Sequence, residues 1–147
     1  MKKGVCIILL FISLGLQATE SSKGLSIIQK SDTLARHITL KSTIIDTEFI
    51  LYDVNSSPRS IPGASSKDLK IIMIVKPEDV RRWTQGKEKM ITSFPKSRAW
   101  LTELPASSAR TRALNGKYLT YYEKKNGYEY TLWADTDGVI LIRFIQN

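Results

Sequence analysis

Two runs of alternating residues and a third, largely apolar run near the C-terminal end constrain this chain more than anything else in it. Residues 118–124 alternate, Asn126-Gly127 follows, and residues 128–133 alternate again. Residues 139–145 form a third run after Asp135-Thr136-Asp137-Gly138. Successive side chains of a strand point to opposite faces, so a period of two marks a strand with one buried face. Asn-Gly between two such runs supplies the positive φ that a tight hairpin needs. Three consecutive strands joined by short turns predict an antiparallel meander. Both of its faces carry aromatic side chains, because Trp133 falls opposite Tyr128 and Tyr130.

Upstream, the pattern predicts elements that could cover this sheet. Ile27, Ser31, Leu34 and Ile38 fall at helical spacing, with Ser26 or Ser31 as the cap. From Ile38 the period becomes two. The phase breaks at Ile44-Ile45, which predicts a strand over residues 39–54 with a bulge or bend near Ile44. Pro58, Pro62 and Gly63 make residues 55–67 a loop. The apolar run 69–75 suits a buried central strand. Pro77-Glu78-Asp79 opens a short helix that turns Val80 and Trp83 inward and ends at Gly86. Residues 97–104 predict a second short helix bearing Trp100, stopped by Pro105. Residues 106–116 read as a second loop. The expected architecture is α+β: an antiparallel sheet of about five strands ending in the meander, with short helices on one face bearing Trp83 and Trp100. The other face is expected to be open.

The N-terminus has the form of a secretory signal peptide. Lys2 and Lys3 precede an apolar run over residues 4–16, broken only by Ser13, and Leu16-Gln17-Ala18 offers a cleavage point. The run is shorter than the roughly 20 residues a membrane-spanning helix requires. Residues 1–18 are therefore expected to be a leader and residues 19–147 one secreted domain, periplasmic or extracellular. Cleavage would remove Cys6, the one cysteine of the chain. The exported part would then have no thiol chemistry and no disulfide, and packing alone would stabilise it.

The formal charge is +8, and loss of Lys2 and Lys3 takes it to +6. A basic surface favours anionic partners. The expected function is non-catalytic: a binding or accessory domain for an anionic envelope or extracellular polymer or protein, with nucleic acid disfavoured. The basic residues of the two loops, Arg59, Lys67, Arg110, Arg112 and Lys117, are the candidate contacts. Two alternatives belong to other classes. Asp46 and Glu48 share a strand face and would serve a small envelope hydrolase, since paired carboxylates can perform acid–base work on sugars. A structural envelope component would instead work through sheet-edge pairing.

Other chemistries find no support. His37 is a single histidine with no nucleophile or orienting partner visible beside it. One histidine and one leader cysteine predict no zinc site and no cofactor. Ser93-Phe94-Pro95-Lys96 matches Ser-x-x-Lys without its companion motifs. Asp135-x-Asp137-Gly138 begins like a calcium loop, but the ligand series fails at Phe144, so a turn is the better reading.

Overall fold

The computed structural model describes residues 19–53, 66–91 and 98–146. Seven strands form one antiparallel sheet: β1 (Glu20–Ser21), β2 (Asp46–Asp53), β3 (Lys67–Ile74), β4 (Glu88–Met90), β5 (Leu119–Lys125), β6 (Tyr128–Ala134) and β7 (Val139–Gln146). Their order across the sheet is β1-β2-β3-β7-β6-β5-β4. The expected meander is β5-β6-β7, with Tyr130 opposite Phe144 and Leu132 opposite Ile142. The apolar run is β3, buried between β2 and β7, and Ile71 pairs with Phe49 on one side and Ile142 on the other. The sheet has seven strands rather than about five because β1 and β4, two and three residues long, are too short to show a period.

Alternation sorts the sheet into two apolar faces. Phe49, Leu51, Leu69, Ile71, Met73, Leu132, Ile140 and Ile142 lie on one face and pack with Leu34 of α1 (Ile27–Ala35) and Trp83 of α2 (Val80–Thr84). Ile50, Ile72, Ile74, Trp133 and Leu141 lie on the other. They pack against Leu101 of the 3-10 turn Ala99–Glu103 and against Ala109 and Ala113 of α3 (Ser108–Asn115). Helical elements thus cover both faces, not the one expected, and Trp83 and Trp100 stand on opposite sides. Part of the second face stays polar. There Arg143 makes two hydrogen bonds to Asp68, at 3.2 and 3.0 Å, and Lys70 pairs with Glu103 at 2.7 Å.

Two other expectations are corrected. Residues 106–116 hold α3 rather than a loop, with the Ser107 side chain accepting from the Arg110 backbone N–H. The strand expected over 39–54 begins only at Asp46. The alternation before it reflects docking instead: Ile38 and Ile44 are buried, and Trp83 Nε1 donates to Ser42 Oγ at 2.9 Å. At the start of the described chain β1 pairs with β2, and beside it Thr19 N donates to Leu51 O at 2.8 Å. Between β1 and β2, α1 opens with a reciprocal capping box of Ser26 and Gln29, so of the two expected caps it is Ser26 that serves.

Candidate functional site

Among the described residues singled out in the sequence, Lys67 and Arg112 stand far apart. Lys67 opens β3 and pairs with Gln146 at one end of β7, whereas Arg112 donates to Asp137 O, just before the other end. An eight-residue strand separates these points by roughly 20 Å or more. The Arg110 guanidinium donates to Leu104 O at 2.8 Å and Thr102 O at 3.4 Å, which ties α3 to the 3-10 turn before it. Lys117 is exposed between α3 and β5. Arg59 and most of the first loop lie outside the described residues.

The carboxylate pair is also committed elsewhere. Glu48 is 4% exposed; it accepts from Ser22 Oγ and pairs with Lys30 Nζ at 2.7 Å. Asp46 accepts from the Thr47 N–H and from Ser108 Oγ. Neither lines the cleft described next.

That cleft, of about 830 Å³, lies on the α1–α2 face of the sheet. Its floor is Tyr128 and Tyr130 of β6 and Phe144 of β7, which cross-strand pairing places together. The Tyr128 and Phe144 ring centroids are 5.4 Å apart, and Tyr130 meets Phe144 edge-on at 6.3 Å. One wall is the chain leaving α1, with His37, Thr39 and Lys41. The opposite wall runs from Arg82 of α2 through Gln85 and Gly86 to Lys87. Gly86 adopts φ +78°, so the chain can reverse there after the helix and carry Lys87 back over the sheet. Glu123 and Lys125 of β5 complete the lining.

Positive charge exceeds negative charge here. Lys41, Arg82, Lys87 and Lys125 line the cleft with one carboxylate, Glu123. Lys125 pairs with Glu123 at 2.8 Å and Arg82 reaches Asp79 at 3.4 Å. Among the described residues, Lys41 and Lys87 form no ion pair. Lys87 Nζ instead sits 5.0 Å from the centre of the Tyr130 ring. Burial pushes the Lys87 ammonium below the usual lysine range; Glu123 opposes that shift, and Lys41 and Lys125 add to it. Glu123 is held below the usual carboxylate range chiefly by the hydrogen bond from Lys125. Burial raises the Tyr130 hydroxyl well above the usual tyrosine range. At the cleft's edge, His37 Nε2 lies 3.1 Å from Glu20 Oε2, and Arg36 holds the other oxygen of that carboxylate at 3.3 Å.

Part of this site was visible in the sequence, as the basic density at Arg81-Arg82-Lys87-Lys89 and the Lys124-Lys125 pair. Its assembly was not visible, because Lys41, Lys87 and Phe144 are brought together only by the fold. Among the described residues, no three His, Cys, Asp or Glu side chains gather where they could hold a metal ion. No described helix is long and apolar enough to cross a membrane.

No protein-family model, curated protein or solved structure matches this chain.

Proposed function

We propose that the protein is an exported, non-catalytic binding domain that holds an anionic envelope or extracellular partner in the cleft between the α1–β2 and α2–β4 connections. The observation that carries this reading is the excess of cationic groups, Lys41, Arg82, Lys87 and Lys125 against Glu123 alone, in a cleft with an aromatic floor. Lys87 is already partly stripped of water, with Glu123 attracting it and Lys41 and Lys125 repelling it. An arriving anion would supply the missing counter-charge at little further desolvation cost. A cavity of this size suits a small ligand or one unit of a polymer.

The test is retention on immobilised dextran sulfate at low salt. The double variant Lys41→Ala, Lys87→Ala should elute at clearly lower salt, while Lys89→Ala should elute with the parent. Equal elution of all three proteins would overturn the assignment of the cleft. Export forms part of the same proposal: cleavage after Ala18 would leave Thr19 at the new N-terminus. N-terminal sequencing of the exported protein should begin Thr-Glu-Ser-Ser, and recovery of an intact Met1 would refute it.

A further inference from the structure

We infer that the cleft takes a saccharide bearing a phosphate or carboxylate group, with the anion between Lys41 and Lys87 and the sugar ring over Tyr128 and Phe144. This rests on the anion-binding reading above and deepens it.

An inorganic anion would need only the ammonium groups, yet the cleft is far larger than phosphate and has an aromatic floor. A greasy ligand fits no better, because the walls carry groups that hydrogen-bond to hydroxyls. Gln85 offers an amide, Thr39 a hydroxyl, and Glu123 a carboxylate held ionised by Lys125. A carboxylate repels an anion but accepts hydrogen bonds from sugar hydroxyls. It stands on β5 beside Lys125 and within electrostatic reach of Lys87 and Lys41, so the lining offers ammonium groups to an anion and an acceptor to the hydroxyls next to it. Tyr128 and Phe144, tilted 36° to one another, supply the apolar surface for the less polar face of a pyranose.

The charge arrangement gives the inference a second readout. His37, Lys41, Arg82, Glu123 and Lys125 are the charged or titratable groups lining the cleft with Lys87, beside the neutral tyrosines. A bound anion adds to the negative charge that Glu123 already sets near Lys87, so binding should favour its ammonium form and take up protons. Affinity should fall as pH rises through the lowered range of Lys87.

The experiment is calorimetric titration of the purified protein with glucose 6-phosphate, glucuronate, glucose and inorganic phosphate. Glucose 6-phosphate or glucuronate should bind about tenfold or more tightly than glucose or phosphate alone, and the better of the two identifies the anionic group. Lys87→Met should weaken that ligand about tenfold and abolish its proton uptake, measured as a difference in heat between two buffers. Phe144→Leu, a conservative change checked by tryptophan fluorescence for folding, should remove the advantage over inorganic phosphate. If neither sugar acid binds better than phosphate, or if Lys87→Met leaves both unchanged, the saccharide inference is wrong. Dextran sulfate retention that still depends on Lys41 and Lys87 would then leave the anion-binding reading standing, and its loss would remove both.

Discussion

Gly138 closes the turn between β6 and β7 under two constraints at once. Its φ is +94°, which side chains with a Cβ rarely adopt, and an added Cβ would lie 2.2 Å from the carbonyl oxygen of Val75. That approach exists because Val75 N donates to Gly138 O at 2.9 Å, fastening the turn to the end of β3. Asp135 holds the same turn by accepting the N–H groups of Asp137 and Val139 at 2.9 and 2.8 Å. Gly86 also has a positive φ, +78°, but a Cβ there meets nothing within 4 Å. Gly86→Ala should therefore cost about 1 to 2 kcal/mol, the backbone term alone. Gly138→Ala adds a collision with immobile backbone and should cost about 3 kcal/mol. Urea unfolding of the two variants measures the difference, and equal losses would contradict the contact at Val75. The Asp-Thr-Asp-Gly sequence announced this turn, but the collision with residue 75 could come only from the fold.

At the scale of elements, helix α3 shows why one segment was misread. Its buried side chains are Ala109 and Ala113, one turn apart and nearly the smallest available. Small residues let the helix lie close on Ile72, Ile74 and Leu141. They give no apolar stripe, and the charged residues between them resemble a loop. What holds the helix is largely polar: Arg98 donates to the carbonyls of Ala113, Leu114 and Gly116 at its C-terminal end, and Tyr118 Oη donates to Ala113 O at 2.5 Å. The meander was legible because Asn-Gly and alternation act locally, and the α1 start in part, because a serine ahead of a helically spaced apolar set marks a cap and left Ser26 and Ser31 as the choices. The α1 helix is joined to the sheet by the buried Lys30–Glu48 pair, whose side chains are 13% and 5% exposed. Removing one partner strands the other charge, so Lys30→Met should cost about 3 to 5 kcal/mol. Lys30→Met combined with Glu48→Leu should recover much of that loss, as chemical denaturation of the single and double variants would show.

For the whole molecule, the two apolar faces bury tyrosines as well as tryptophans. Burial raises the hydroxyls of Tyr52, Tyr118 and Tyr130 above the ordinary value of 10.0. In the unfolded chain they ionise near that ordinary value, so above it the unfolded state binds fewer protons than the folded one. Their contribution is whole below pH 10 and is lost as pH rises toward the raised folded values. Lys87 works in the opposite sense, since its lowered folded value makes stability rise with pH below the ordinary lysine range. Three tyrosines against one half-buried lysine predict a net fall in stability between about pH 10 and 11. Denaturant midpoints across that range measure it, and the slope should flatten in Tyr118→Phe, Tyr130→Phe.

The strand order carries a consequence for how the chain is made. β7 stands in the middle of the sheet with β3 on one side and β6 on the other, yet it follows all six other strands in the sequence. Without it, β1-β2-β3 and β4-β5-β6 are two three-stranded fragments with no strand-to-strand bond between them, each exposing a raw apolar edge. A growing polypeptide therefore cannot close this sheet until residues 139–146 have been synthesised. Until that strand is made, the two halves of the sheet have no strand pairing to join them.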